Sequence, residues 1–521
     1  MAILYGIFGI AGVAAVYLEI LPPSVAALCA TVLPFILSVI YQLVFSPLAK
    51  YPGPRLWAIS RLPWAWHVVR GDLWQTLEEA HLKYGPWIRI APNELSTTAP
   101  EAWKELYAST PLPIKDPNSS TPPPNGIHSL FTASGQTHRR LRGIFVNGFS
   151  SKALRGQSPI IEEYANQFIE RVGREVSKST TVDIAKLYGY VAFDIITDLT
   201  YGESIHGLEG DSSHSWIERY YIQAKVATFR NLVSHFPPLD WLFDAVLGRL
   251  TADKRMQNFQ EVGRKLDRRL QLDEKAQGRE DLLSPVMGRV SEKPGRDQIT
   301  KDELIVHGFS TVVVNSQAAT LVLASITQLL LTNRRAIDRL VAEIDEKHFK
   351  LAREDINVES TTDMPYLDAV INETLRIHHP TPMSLPRVMP EGGKFVTGHH
   401  LPAKSIVGIN LQNIQNAPDN WVQPEAFYPE RFLDETHPYF DSRFLQDKKE
   451  AFHPFSIGPR NCLGGRLFLA QVRVILVRLL HIYQLALADD RTPHDLWKRP
   501  SYLVFEPRDL HVKLSKRPNH F

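Results

Sequence analysis

The feature that most constrains this chain is a short turn that carries its second cysteine and precedes an apolar stretch. The turn reads Phe-Ser-Ile-Gly-Pro-Arg-Asn-Cys-Leu-Gly-Gly-Arg from Phe455 to Arg466, and the pattern that follows predicts a helix over Leu467–Tyr483. Cys462 would then lie at a helix amino terminus, where free backbone N–H groups and the helix dipole stabilise a thiolate. The competing interpretation is a buried structural cysteine that behaves as a small hydrophobe.

Other residues of the turn favour a bound ligand. Gly458 and Gly464 would let the backbone approach a large flat molecule, and Arg460 places a cation two residues before the sulfur. Cys29 is the only other cysteine in the chain. This count excludes a disulfide scaffold and a cysteine-rich zinc or iron–sulfur site, and it suits a protein that faces a reducing compartment.

The fixed positions Phe455, Gly458, Arg460, Cys462 and Gly464 match Phe-x-x-Gly-x-Arg-x-Cys-x-Gly, and the segment resembles the haem-binding signature of cytochrome P450 proteins. The resemblance implies that Cys462 is the axial ligand of a haem b iron, where a thiolate opposite the oxygen site favours O–O cleavage. It also implies that Arg460 binds a haem propionate and that Phe455 packs against the sulfur side of the ring.

Two upstream segments resemble parts of the family that hold haem propionates. His138 and Arg142 are four residues apart, so a helix would place them on one face, although a basic surface helix has the same pattern. Arg387 follows Leu385-Pro386 in a segment that carries another propionate-binding arginine in the family. The resemblance therefore adds His138, Arg142 and Arg387 to the expected cofactor site.

A further group resembles the structural network that lies behind the haem in the family. Glu373 and Arg376 are three residues apart, a spacing that by itself is typical of a solvated helix surface. The order of segments adds weight, because Arg431 follows in Pro-Glu-Arg-Phe, before the cysteine turn. The resemblance implies that Glu373, Arg376 and Arg431 form a buried network that is structural rather than catalytic.

The chain departs from the family in Leu304–Asn333, a run without charged residues. Polar residues interrupt this run, which favours a long buried helix over a membrane span. Where the family has Ala-Gly-x-Asp/Glu-Thr-Thr, this chain has Val-Asn-Ser-Gln-Ala-Ala over residues 314–319, followed by Thr320. Activation of O2 needs protons, which a carboxylate and a hydroxyl ordinarily relay. We expect Ser316, Gln317 and Thr320 to be the side-chain candidates for this relay, with ordered water or a substrate hydroxyl as alternatives.

The resemblance implies a monooxygenase that uses O2 and electrons from NADPH to hydroxylate, epoxidise or desaturate its substrate. The missing acid and alcohol leave two alternatives open. One is an atypical haem-thiolate enzyme that performs oxidative coupling, rearrangement or dehydration, and the other is a silent haem-binding or electron-transfer protein. The segment Tyr-Pro-Gly-Pro-Arg-Leu-Trp from Tyr51 resembles fungal members that tailor natural products, so we expect a lipophilic intermediate of fungal secondary metabolism as substrate.

The partners follow from the same resemblance and from the charge. The sequence contains no Gly-x-Gly-x-x-Gly fingerprint, so a separate NADPH–cytochrome P450 reductase is expected to supply electrons, with cytochrome b5 as a second candidate donor. The 58 basic and 56 acidic side chains leave a net charge of +2, which provides no global field for a nucleic acid. We expect no nucleic-acid partner.

The amino-terminal segment predicts a membrane anchor. Glu19 is the only charged residue before Lys50, and two apolar runs, about Ala2–Leu21 and Ala26–Phe45, are each long enough to cross a bilayer. A cleaved signal peptide is the alternative, but no basic residue precedes the first run. Basic residues after the second run favour a cytosolic body. We expect an endoplasmic reticulum protein with an anchor of one or two spans at 1–49 and a haem domain at 50–521.

The rest of the pattern predicts a mainly α fold with a minor β portion. Helical periodicity dominates from Ser151 to Tyr366, whereas strand-like pieces are confined to Trp87–Pro92 and Lys394–Gly408. We expect the cytochrome P450 fold, with a single large haem domain behind the anchor.

Overall fold

The computed structural model describes residues 22–119, 126–210, 214–250, 252–272, 279–348, 351–488 and 499–518, together with Ala11 and Val16. Helices dominate and strands are short, so the predicted mainly α class is confirmed. The helices are α1 Pro23–Ile40, α2 Arg55–Ile59, α3 Leu62–Arg70, α4 Leu73–Tyr84, α5 Ala102–Tyr107, α6 Gly135–Phe145, α7 Ser151–Lys178, α8 Ile184–Tyr201, α9 His214–Val233, α10 Pro237–Leu250, α11 Ala252–Leu272, α12 Lys301–Thr332, α13 Arg334–His348, α14 Pro365–Ile377, α15 Leu411–Asn416 and α16 Gly465–Ile482.

The strands form a small mixed sheet and several shorter antiparallel pairings. They are β1 Trp87–Ala91, β2 Glu94–Thr97, β3 Ile114–Lys115, β4 Thr181–Asp183, β5 Arg387–Val388, β6 Lys394–Val396, β7 His399–Leu401, β8 Ile406–Ile409, β9 Tyr483–Leu487, β10 Ser501–Tyr502, β11 Val504–Phe505 and β12 His511–Lys516. The largest sheet has the order β1-β2-β8-β5-β3, in which β2 and β8 are parallel. β4, β12 and β9 form an antiparallel sheet, and β6-β7 and β10-β11 are hairpins.

The uncharged run becomes the central helix α12. A capping box begins it, in which the Thr300 hydroxyl accepts from the Glu303 N–H while the Glu303 carboxylate accepts from the Thr300 N–H. Its 32 residues extend about 48 Å at 1.5 Å per residue. The helix is apolar enough to cross a membrane, yet 44% of its most apolar window is buried inside the protein. It is therefore a core helix, as the interrupting polar residues predict.

Two helices pack against α12 and complete the core. Every residue of α8 except Lys186 and Asp198 is buried, which is the pattern of a helix surrounded by protein on all sides. α16 is buried along most of its length and follows the cysteine turn directly. The core thus holds the cysteine turn at one end of a rigid helix.

An exposed apolar helix precedes the body. α1 continues through a π-helical turn, Tyr41–Phe45, and the combined Pro23–Phe45 segment has a mean hydropathy of 2.2 with only 11% of its apolar window buried. This helix coincides with the second predicted run and suggests a membrane anchor. The first predicted run, Ala2–Leu21, lies outside the described residues except at Ala11 and Val16.

Candidate active site

The cysteine turn is held by its own backbone and by close packing. The Cys462 N–H donates to the Phe455 carbonyl at 2.8 Å, and α16 begins three residues after the sulfur. Gly458 has a φ of +75°, and a Cβ there would lie 2.0 Å from the carbonyl oxygen of Tyr107. Glycine at Gly458 is therefore required by the neighbouring backbone, and not only by the approach of a ligand.

The sulfur lies deep in the protein but is reachable. The Cys462 side chain keeps solvent-accessible surface, whereas the surrounding protein is dense enough that burial raises the pKa of its thiol. A side chain with both properties lines an internal space. The backbone N–H groups of Gly464 and Gly465 and the Arg142 guanidinium oppose the effect of burial and favour the thiolate.

Gly464 and Gly465 leave space beside the Cys462 sulfur and the Phe455 ring. A Cβ at Gly464 would lie 4.0 Å from the Cys462 sulfur, and one at Gly465 would lie 3.2 Å from the Phe455 ring. The Phe455 ring also packs edge-on against Phe468, with centroids 5.8 Å apart. Phe455 thus supports the turn from the α16 side.

Arg142 and Arg460 connect the cysteine turn to residues that precede it in the chain. One Arg142 nitrogen donates to the Asn461 carbonyl at 2.8 Å and the other donates to the Asn461 side-chain oxygen. Arg460 donates to the Ala133 carbonyl at 2.7 Å. Burial, followed by repulsion from Arg387 and Arg142, lowers the pKa of Arg460 to about 10.

His138 and Arg387 join the same group of basic side chains. Burial first, and then the charges of Arg460, Arg142, Lys115 and Arg387, lower the pKa of His138 to about 4. Arg387 is 4% exposed, lies 4.7 Å above the Tyr107 ring, and has a buried Nε without a partner among the described residues. The structure thus brings together all four residues that the sequence assigned to the propionates.

Lys115 is a member of this group that the sequence analysis missed. It lies directly opposite Arg387 in the pairing of β3 with β5, and its amine donates to the Phe131 carbonyl at 2.8 Å. Burial, with repulsion from Arg387 and Arg460, lowers its pKa to about 7. The strand has only two residues, so no periodicity in the sequence marks it.

We define the basic cluster as Lys115, His138, Arg142, Arg387 and Arg460. Its members repel one another, and few carboxylates in the described part of the chain lie near enough to balance their charge. Like charges opposite each other in a strand pair are destabilising, and among the described residues the charge of Asp116 offsets part of this repulsion at Lys115. Two added carboxylates would relieve this repulsion. The cluster therefore fits the two propionates of a haem, and the reachable Cys462 thiol fits the iron.

The relay candidates of α12 differ in burial and in hydrogen bonding. Ser316 is completely buried and donates to the Val312 carbonyl at 2.6 Å, and Thr320 donates to the Ser316 carbonyl at 2.7 Å. Gln317 is half-buried as a residue, but its amide oxygen is buried and has no partner among the described residues, as is also the case for Asn315. Of the three candidates, only Gln317 has a polar atom that is not already used within the helix.

The neighbouring positions show which side of α12 is open. Val314 is 40% exposed and Ala318, one turn later, is half-buried, whereas Ala319 has no exposed surface. Residues four apart share a helix face. The accessible position in the Ala318-Ala319 pair is therefore Ala318.

Glu373, Arg376 and Arg431 meet in a fully buried network. The Glu373 carboxylate accepts from Arg376 at 2.7 and 2.9 Å and from Arg431 at 3.0 Å, and all three side chains have 0% exposure. Asp447, which the sequence analysis did not include, pairs with the other end of Arg431. The network connects α14 to the segment before the cysteine turn and has no exposed group.

The fold brings a reachable cysteine and a cluster of buried basic side chains together, an arrangement that fits a large anionic cofactor. The Cytochrome P450 family model matches residues 51–514. The chain therefore belongs to the cytochrome P450 family, which confirms the predicted family, fold and enzyme class. Membership implies a haem-thiolate cofactor, a redox partner and a small-molecule substrate.

Characterised fungal proteins resemble the chain over nearly its whole length. It is 33% identical over 500 residues to averantin hydroxylase of Dothistroma septosporum, covering 96% of this chain and 92% of that protein. It is 31% identical over 499 residues to versicolorin B desaturase stcL of Emericella nidulans, covering 95% and 98%. It is 32% identical over 484 residues to cytochrome P450 monooxygenase cpaH of Aspergillus oryzae, covering 90% and 91%. Oxidation of a natural-product intermediate, as predicted, is supported by these relatives.

Proposed function

We propose that this protein is a haem b monooxygenase in which Cys462 ligates the iron and that it oxidises a lipophilic intermediate of fungal secondary metabolism. The observation that carries the proposal is the basic cluster beside a reachable cysteine. Five basic side chains converge there, and burial together with their mutual repulsion lowers the pKa values of Lys115, His138 and Arg460. A dianionic ligand is the simplest partner for such a group.

In this proposal, the cluster binds and orients the cofactor. Arg142 is fixed by the Asn461 carbonyl in the turn, and Arg460 is fixed by the Ala133 carbonyl outside it. Arg387 and Lys115 lie opposite each other on β5 and β3. Without the cofactor, burial and the neighbouring cations lower the pKa of His138 to about 4, and one of its ring nitrogens would donate to a propionate. When bound, a thiolate-ligated haem supplies O2 activation for oxygen insertion or desaturation.

Gln317 is the chain's own candidate for delivering protons on the opposite side. The hydroxyl protons of Ser316 and Thr320 are directed to helix carbonyls. A carboxamide does not release protons at neutral pH, but it can hold a water molecule that relays them. We therefore assign Gln317 the role of a water-positioning residue and leave Ser316 and Thr320 to stabilise the helix.

The relatives support the reaction class. Their names include a hydroxylase and a desaturase, both of which are oxidations, so coupling or rearrangement is not favoured for this chain. Electrons would come from NADPH–cytochrome P450 reductase, with cytochrome b5 as a second candidate donor. The apolar helix before the body would hold the enzyme in the endoplasmic reticulum membrane with the haem domain in the cytosol.

The test compares the two cysteines. We expect the reduced, carbon monoxide-bound protein to show the red-shifted Soret band of a thiolate haem, Cys462→Ala to abolish it, and Cys29→Ala to leave it unchanged. With reductase, NADPH and labelled O2, a hydroxylated product should carry one labelled oxygen atom. A normal Soret band in Cys462→Ala would overturn the ligand assignment, and turnover without O2 consumption would overturn the reaction class.

A further inference from the structure

We infer that Arg89 docks the carboxyl end of the apolar helix onto the body, so that anchor and body form one rigid unit. The apolar helix ends in the turn Tyr41–Phe45, and Arg89 lies in the middle of β1. The two segments are more than forty residues apart in sequence. Their contact is made by a side chain with 1% exposure.

The Arg89 guanidinium binds the helix end through three acceptors. One terminal nitrogen donates to the Gln42 carbonyl at 2.7 Å, and the other donates to the Gln42 side-chain oxygen at 2.6 Å and to the Ser46 hydroxyl at 3.2 Å. The body contributes the Pro92 carbonyl at 2.6 Å. Most of the acceptors for this buried cation therefore belong to the anchor.

The backbone of Arg89 is held by the segment that follows the anchor. The Arg89 N–H donates to the Pro52 carbonyl at 2.7 Å. A Cβ at Gly53 would lie 2.5 Å from the Arg89 carbonyl oxygen, so only glycine permits this approach. Residues on both sides of the junction, Gln42 to Gly53, thus converge on one arginine.

The anchor supplies most of the acceptors that stabilise the buried charge of Arg89. No carboxylate pairs with Arg89 among the described residues, and burial lowers its pKa. Its partner instead is the carbonyl-rich end of a helix, where the dipole favours a cation. Loss of the helix end would leave a buried guanidinium with the Pro92 carbonyl alone, which is costly.

A rigid junction would fix how the body meets the membrane. Leu48 and Tyr51 are buried in the same hydrophobic cluster as Trp87, so the chain leaving the anchor is packed as core rather than as a linker. Helix α3, which follows, exposes Leu62 and Trp66 on one face. In a docked arrangement this apolar face keeps a constant position relative to the anchor.

Tryptic cleavage of the full chain in detergent tests the junction without requiring a membrane or bound haem. Lys50 and Arg55 are exposed, but the backbone between them is held by buried Tyr51 and by the hydrogen bond of Pro52 with Arg89. A protease needs an extended, released segment, so cleavage at these residues reports the population in which the junction is open. We expect the wild type to be cut there more slowly than at the exposed loop residue Arg296. Gln42→Leu, which leaves Arg89 without its main side-chain acceptor, should speed junction cleavage roughly tenfold or more.

Arg89→Met and the double variant Arg89→Met/Gln42→Leu test whether the contact between Arg89 and Gln42 is what protects the junction from cleavage. If Arg89 and Gln42 act together, Arg89→Met/Gln42→Leu should be cut no faster than Gln42→Leu alone, and the exposed control Arg508→Met should match the wild type. Because Gln42→Leu leaves the body sequence unchanged, it remains informative if Arg89→Met fails to fold. Multiplying effects in the double variant, or wild-type cleavage at Lys50 as fast as at Arg296, would overturn the inference.

Discussion

Replacement of Glu373 by Gln tests whether the buried network stabilises the fold. The Glu373 carboxylate accepts four hydrogen bonds, two from Arg376, one from Arg431 and one from the Tyr428 N–H at 2.9 Å. Together with Asp447, it faces two guanidinium groups that have no contact with solvent, and the partly exposed Lys449 adds a third cation beside Asp447. Glu373→Gln keeps the shape but removes one of the two carboxylates that compensate the buried guanidinium groups.

The burial of the network determines how much free energy of unfolding the substitution should cost. Removal of one partner from a buried ion pair costs about 3–5 kcal/mol, because the remaining charge cannot be solvated. A matched surface pair is Arg334–Asp338, whose side chains are 76% and 57% exposed. Such a pair contributes about 0.3–0.5 kcal/mol. Glu373→Gln should therefore destabilise the protein roughly ten times more than Asp338→Asn.

Unfolding in denaturant, followed by tryptophan fluorescence and by the Soret band, measures both effects. We expect Glu373→Gln to lower the midpoint strongly by both probes and Asp338→Asn to change it little. A Glu373→Gln midpoint equal to that of Asp338→Asn would refute the electrostatic reasoning. Loss of the Soret band with an unchanged fluorescence midpoint would instead show that the network acts on the cofactor alone.

Three further predictions concern the turn, the basic cluster and α12. Gly458→Ala should lower the thermal midpoint by several degrees, because its Cβ meets the Tyr107 carbonyl and its φ is positive. In the haem-free protein, the Lys115 amine has a pKa of about 7 when folded and 10.5 when unfolded. Its contribution to stability should therefore be constant below pH 7 and rise between pH 7 and 10.5, by up to about 1.4 kcal/mol per pH unit. Lys115→Met should remove this slope in pH-dependent denaturation. Ala318→Thr should fold normally and change the coupling of NADPH oxidation to product, whereas Ala319→Thr, at a site with no exposed surface, should lower the thermal midpoint.

The sequence could predict those parts of the site whose spacing matches a motif. The cysteine turn, the Glu373–Arg376 pair and the His138–Arg142 pair are local patterns. The structure shows the turn held by its own backbone, the ion pair of Glu373 with Arg376, and Arg142 close enough to His138 to affect its pKa. Asp447 and Lys115 lie outside any motif. Asp447 pairs with Arg431, which is 16 residues away in the sequence. Lys115 joins the basic cluster because β3 pairs with β5.

The polar residues of the central helix show a second limit of prediction. Sequence alone indicates that the run is too polar for lipid, but not what the polar atoms contact. His307 uses both ring nitrogens within the protein, one with the Glu303 carbonyl at 2.7 Å and the other with the Leu130 N–H at 2.8 Å. It is therefore neutral and joins α12 to the turn at 129–133, which carries the carbonyl that binds Arg460. Only the three-dimensional contacts reveal this link.

The contrast between the two sides of the site has a chemical consequence. Around Cys462 the chain keeps the residues that a thiolate-ligated cofactor needs, whereas on α12 the family's acid and alcohol are replaced by Gln317 and Ala318. Neither replacement supplies a proton at neutral pH, and the hydroxyls nearby are engaged in the helix. Under the proposed function, protons would come from water or from the substrate, held in place by the Gln317 amide. A substrate that carries a hydroxyl near the oxidised carbon would meet this need, and removal of that hydroxyl should cost product coupling more than binding.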